Sequence, residues 1–119
     1  MAKDRTIMQY SEDTIWMIWS KGEIFAGNDP VFWRKDRFGA WIFRGHYGRT
    51  DSEYGWVIDP IQPLSDGETV DISNLAPVQW ENTIKANNNT ERHVTSTGIH
   101  NERPPEHRAI EIPSMWNFY

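Results

Sequence analysis

The chain has 119 residues, 38% of them hydrophobic, and a net charge of −5. That length holds one domain with a modest core, and seven Trp, five Phe and four Tyr supply the large rings that can hold a small irregular fold together. The absence of cysteine excludes disulfides and cysteine-ligated zinc knuckles, and the acidic balance argues against a strong grip on nucleic-acid phosphates.

Residues 1–9 are polar and read as frayed. They lack the apolar run of a signal peptide, and no stretch approaches membrane-spanning length, so the expected location is cytoplasmic. Ser11-Glu-Asp-Thr14 precedes Ile15, Trp16, Ile18 and Trp19, with Lys21 and Gly22 behind them. A capping residue, early acids, apolar spacing of three and four and a closing glycine predict a helix over 12–20. Glu23 to Pro30 reads as a brief extended piece entering a turn, because Asn-Asp-Pro initiates turns. Val31 to Asp36 is extended or a single helical turn.

Gly39 to Arg44, rich in aromatic and branched residues, predicts a strand, and Gly45 to Glu53 a polar loop. Gly55 to Asp59 is a second strand, and Ile61 to Leu64 its partner, confined by Pro63 to an edge. After the turn-rich Ser65 to Asp71, a helix is expected from Pro77 to Ala86, with Trp80 and Ile84 at helical spacing and Asn87 to Asn89 ending it. From Thr90 the pattern is lost. His93, His100 and His107 match no common zinc spacing, and Met115 to Tyr119 closes the chain with an aromatic cluster suited to packing on the domain or on a partner.

Within this frame, Tyr54-Gly-Trp-Val-Ile-Asp-Pro-Ile-Gln-Pro-Leu-Ser-Asp-Gly67, then Asn74-Leu75 and Asn82-Thr-Ile-Lys85, closely resembles the ββα-metal (HNH) nuclease motif. Trp19-Ser-Lys-Gly22, Trp33-Arg-Lys-Asp36, Phe38-Gly-Ala-Trp-Ile-Phe-Arg44 and Tyr47-Gly48 resemble the lead-in of one bacterial branch of that family, where a cysteine commonly stands in place of Phe38. The resemblance covers about residues 14–88. It implies an α+β single domain over 1–119 with a ββα-metal core, an N-terminal helix and an irregular tail from residue 90.

By that resemblance Asp59 matches the acidic metal ligand and Asn82 the ligand on the helix. Asn74 matches the loop asparagine, and Lys85 the lysine that often follows. Their oxygens would suit a hard cation, Mg²⁺ or Mn²⁺. Pro60 stands where the family has the histidine that activates water. A general base contributes about 10²–10⁴-fold, and proline cannot accept a proton. Proline also deletes a backbone donor, with the prospect of a reshaped ribbon. His46, in Arg44-Gly-His-Tyr-Gly48, is the candidate substitute base. Arg34, Lys35, Arg37, Arg44 and Arg49, with Lys85, form a candidate phosphate-binding patch, or else a solvated face.

A structural role competes at each position. Asp59 could cap or turn the chain before a proline, Asn82 could be a solvated helix residue, and Asn74 could fix its loop. The expectation is therefore a degenerate HNH endonuclease-like protein, catalytically inactive. It would act by binding a protein or DNA partner, for example as an inhibitor or decoy in phage or mobile-element biology, with no membrane partner. The alternative is an active metal-dependent DNA endonuclease with a relocated base.

Overall fold

The computed structural model describes residues 10–87 and 93–104. The expectations for residues 1–9, for His107 and for the Met115 to Tyr119 cluster lie outside them. Helix α1 spans Glu12–Trp19, as its sequence signals predict, with the Ser11 side chain accepting a hydrogen bond from the Thr14 amide. Its apolar stripe buries Ile15, Ile18 and Trp19, while Trp16 and Met17 remain exposed.

Strands β1 (Trp33–Lys35) and β2 (Trp41–Phe43) pair antiparallel, Trp33 opposite Phe43 and Lys35 opposite Trp41. The tight turn between them is organised by Asp36, whose Oδ1 accepts from the Phe38 and Ala40 amides at 3.0 and 2.9 Å. Gly39 takes the left-handed conformation there, at φ +94°.

Strand β3 (Trp56–Pro60) pairs antiparallel with β4 (Leu75–Gln79). The expected partner, Ile61 to Leu64, instead opens the 61–74 connection. The helix expected from Pro77 to Ala86 is also corrected: that stretch divides into β4, a 3₁₀ turn at Trp80–Asn82 and a short helix α2 at Ile84–Asn87. All five β4 residues are buried, so continuous burial against β3 and α1 outweighs the helical spacing of Trp80 and Ile84.

Both prolines fit this ribbon for one reason. Ile61 N–H donates to Asn74 O and Trp80 N–H to Gly55 O, which fixes the alternation of the ladder. Pro60 opposite Leu75 and Pro77 opposite Ile58 therefore occupy non-hydrogen-bonded pairs, where an N–H would point away from the partner strand. Neither proline removes a ladder bond, and Pro60 leaves the ribbon's pairing intact.

The segment 93–104, expected to be irregular, carries a small antiparallel hairpin, β5 (Thr95–Ser96) with β6 (Asn101–Glu102). It is bound to the domain. Trp41 Nε1 donates to Gly98 O at 2.6 Å, Ser96 Oγ to Gly39 O at 2.7 Å, and the His93 ring stacks on Phe38 at 3.7 Å. The described chain is thus a small α+β domain with three two-stranded antiparallel sheets. Ile15, Trp19, Ile42 and Trp56 form its central cluster, Trp19 and Trp56 with centroids 5.0 Å apart. Among the described residues no helix is long and apolar enough to cross a membrane.

Candidate functional site

Successive β3 side chains alternate between the two faces of the ribbon, so Asp59 and Pro60 point to opposite sides. Asp59 is half-buried, and its Oδ2 accepts from the Ile84 amide at 2.9 Å. It thereby ties the end of β3 to the first turn of α2. Burial pushes its carboxyl above the ordinary carboxylate range, and the Ile84 N–H and the nearby positive charge of Arg37 pull partly back. Asp59 here makes one backbone bond, to the amide that opens α2.

Asn82 is buried, at 2% exposure, and its amide is fully engaged. Nδ2 donates to Asp36 Oδ2 and to Val94 O, both at 3.0 Å, while Oδ1 accepts from Val94 N at 2.8 Å. The cation that the resemblance implies would draw on Asp59 and Asn82 together. The residues do not fit that pairing, because the oxygen that Asn82 would offer is directed at Val94 inside the domain. Among the described residues, no group of three or more His, Asp or Glu side chains could hold a metal ion.

Asn74 fixes its loop. Its Oδ1 accepts from Gln62 N at 2.9 Å and its Nδ2 donates to Gln62 O at 3.0 Å, a two-bond clamp that closes the 61–74 connection. His46 lies in a 3₁₀ turn at Arg44–His46, its Nδ1 2.7 Å from the Oγ of the fully buried Ser52. The next residue, Tyr47, bridges to Trp56 at the start of β3, three residues and about 10 Å along the strand from Asp59. Burial first, and Arg49 second, hold the imidazole below its usual pKa. The contacts of the His46 ring are with the Ser52 hydroxyl and the Phe43 ring.

The cations of the candidate phosphate patch have mostly internal duties. Arg34 donates to the Pro30, Ser20 and Gly22 carbonyls. Lys35 places its ammonium over the Phe25 and Trp41 rings at 4.1 and 4.8 Å. Arg44 pairs with Glu12 at 2.8 Å and covers Trp16, and Arg49 forks onto Asp51. Arg37 and Lys85 are exposed. Arg37, with Lys21, Glu23, Asp36, Ala76 and Pro77, lines a cleft of about 340 Å³ beside β4.

A buried polar network goes unannounced by the motif. Asp36, at 1% exposure, receives four N–H donors, two on each oxygen: Phe38 and Ala40, then Gln79 and Asn82. Burial raises its carboxyl and these donors oppose the rise. Asn101 bonds both peptide groups of Trp41 and the Glu53 carbonyl, and the Glu53 carboxylate accepts from Asn101 N. Only the position of Asp36 in the Trp33-Arg-Lys-Asp36 lead-in hints at this network. Compared with family models, curated proteins and solved structures, the chain matches none.

Proposed function

We propose that the protein is a degenerate HNH-like domain that acts by binding rather than by cutting. The observation that carries this reading is that the two expected cation ligands are committed to different partners. Asp59 serves α2, while Asn82 serves Asp36 and Val94 within the core. Pro60 supports it, since the base position holds a group without a proton acceptor.

A protein partner is favoured over nucleic acid. The chain carries −5 overall, and Arg34, Lys35, Arg44 and Arg49 are bound to its own carbonyls, rings and carboxylates. An affinity built on phosphate contacts needs such cations directed outward. A role as an inhibitor or decoy for another protein fits a small scaffold of this kind.

The test pairs two measurements on the purified chain, supercoiled-plasmid nicking with Mg²⁺ or Mn²⁺ and anisotropy of labelled duplex DNA at low salt. Neither nicking nor saturable DNA binding is expected. Metal-dependent nicking that Asp59→Ala abolishes would overturn the reading in favour of an active nuclease.

A further inference from the structure

The outer edge of strand β2 is closed by side chains rather than by another strand. Asp36 N–H donates to Ala40 O and Arg44 N–H to Phe32 O, which sets the alternation of the β1–β2 ladder. Trp41, opposite Lys35, therefore turns its own N–H and C=O away from β1. The Asn101 carboxamide meets both. Its Oδ1 accepts from Trp41 N at 2.7 Å, and its Nδ2 donates to Trp41 O at 3.0 Å. That two-bond exchange is the one a residue of a neighbouring antiparallel strand makes. Ser96 Oγ adds a third bond, to Gly39 O at 2.7 Å.

Both side chains belong to one strap, residues 95–102, whose ends are fixed. Before it, Val94 N and O are both held by the Asn82 amide; after it, Arg103 pairs with Glu81 at 3.1 Å. Between those anchors Asn101 alone is buried, and the strap's only large apolar side chain, Ile99, is 76% exposed. Hydrogen bonds fasten the strap to the domain. Besides those of Ser96 and the Asn101 side chain, Trp41 Nε1 donates to Gly98 O, Tyr54 Oη to Ile99 O, and Asn101 N to the Glu53 carboxylate. Such bonds are worth little net, because water replaces them when the segment lifts. A segment without apolar anchors opens at lower cost than the core does.

We infer that the β2 edge at Gly39 and Trp41 is a strand-addition site that this strap keeps closed, and that its occupant is an extended polypeptide segment of a partner protein. Lifting residues 95–102 frees Trp41 N–H, Trp41 C=O and Gly39 C=O, and a partner's backbone restores the same three bonds. The added strand is short, because Phe43 N–H, next along the edge, already donates to Tyr54 O. Two of the three freed groups are acceptors, so a nucleic-acid strand would set its phosphates against carbonyl oxygens. This rests on the reading of the protein as one that binds a protein partner, yet the two fail separately. Plasmid nicking would sink that reading, whereas the strap is judged by exchange and titration alone.

Hydrogen exchange on the ¹⁵N-labelled full chain measures the opening. The Trp41 amide, its indole N–H and the Asn101 amide should share one protection factor, about a hundredfold or more below those of Val57 and Val78 in the central ribbon. The chain is then titrated with a capped peptide of alternating threonine and valine, and with the same peptide N-methylated throughout. The first should shift the amides of residues 39–43 and 95–102, and the second should not. Asn101→Ala removes the closing amide and should tighten peptide binding about tenfold or more. Ser96→Ala should tighten it less, and decides the matter if Asn101→Ala folds poorly. Ile99→Ser, at the exposed tip, should leave it unchanged. The assignment is overturned by a Trp41 amide as protected as the ribbon, by equal shifts from both peptides, by shifts centred elsewhere, or by strap variants that bind no tighter. Weaker binding of Ile99→Ser would move the contact to the tip, and a dimer of Asn101→Ala in sedimentation would give the edge to a second copy. Either overturns it equally.

Discussion

Asn82 donates its side-chain amide to the Asp36 carboxylate at 3.0 Å, joining positions 46 apart in sequence inside the domain. The same amide brackets Val94 through both of that residue's peptide groups. One side chain therefore holds the β1–β2 turn, the end of β4 and the returning 93–104 segment in a single network. That duty is what occupies the oxygen that the resemblance would assign to a cation.

Asn82→Ala removes these three bonds at once. It leaves Asp36 Oδ2 with only the Gln79 amide and strands the Val94 N–H and C=O in a buried place. Each buried polar group left unpaired costs about 1–3 kcal/mol, so a loss of about 2–4 kcal/mol is expected in urea denaturation. A loss below about 1 kcal/mol would show that Asn82 is a solvated residue and not part of the core.

Asp59 should behave as a half-buried carboxylate with one backbone bond. Its folded pKa lies above the unfolded value of about 3.9, chiefly through burial. The stability this group contributes is then complete below the unfolded pKa and is lost as pH rises through the folded one. Asp59→Asn keeps an oxygen for the Ile84 amide and removes the charge. The variant should melt at or above the parent's temperature near neutral pH, with the difference vanishing near about pH 3. A variant less stable than the parent at neutral pH would mean that the attraction to Arg37 outweighs burial.

Gly55 is required for space. A Cβ built there would lie 1.7 Å from Arg49 O and 2.9 Å from Arg49 C, both backbone atoms that cannot swing aside. The same loop end supplies the Gly55 N–H to Ser52 O bond and the Gly55 O acceptor for Trp80 N–H. Gly55→Ala should therefore displace the start of β3 from β4 and destabilise by roughly 3 kcal/mol or more, the range of severe overpacking. Calorimetric melting measures it, and Gly98→Ala, where nothing lies within 4 Å of the added carbon, is the control expected to change little.

What the sequence disclosed was local. Ser11, the early acids and the spacing of Ile15, Ile18 and Trp19 place α1 because capping and periodicity act within one turn. Trp41–Phe43 and Trp56–Pro60 are legible as strands from their aromatic and branched residues. The partner of β3 was not legible, because the choice between Ile61 to Leu64 and Leu75 to Gln79 is made by burial across the 61–74 connection. Pro77 misleads for a related reason: a proline suits a first helical turn and also a non-hydrogen-bonded strand position, and only the register distinguishes them. Asn82 carries no mark in sequence of being buried, since its partners Asp36 and Val94 lie far along the chain. The duties of Arg34 and Lys35 are hidden in the same way, by contacts to carbonyls and rings that no spacing rule encodes.

Pro60→His separates the effect of the missing base from that of the missing ligand. Position 60 sits in a non-hydrogen-bonded pair opposite Leu75, so the restored N–H would point away from β4 and the ladder would keep every bond. The main stability effect is greater freedom of the unfolded chain, about 0.4–1 kcal/mol, well within reach of denaturant titration. The variant would carry an imidazole beside Asp59 in sequence but on the opposite face of the ribbon, while the Asn82 amide stays bound to Asp36 and Val94. Mn²⁺-dependent plasmid nicking should therefore remain absent from a variant that is folded and nearly as stable as its parent. Nicking restored by this single change would show that Asp59 needs no help from Asn82, and that the proline alone separates this chain from a working nuclease.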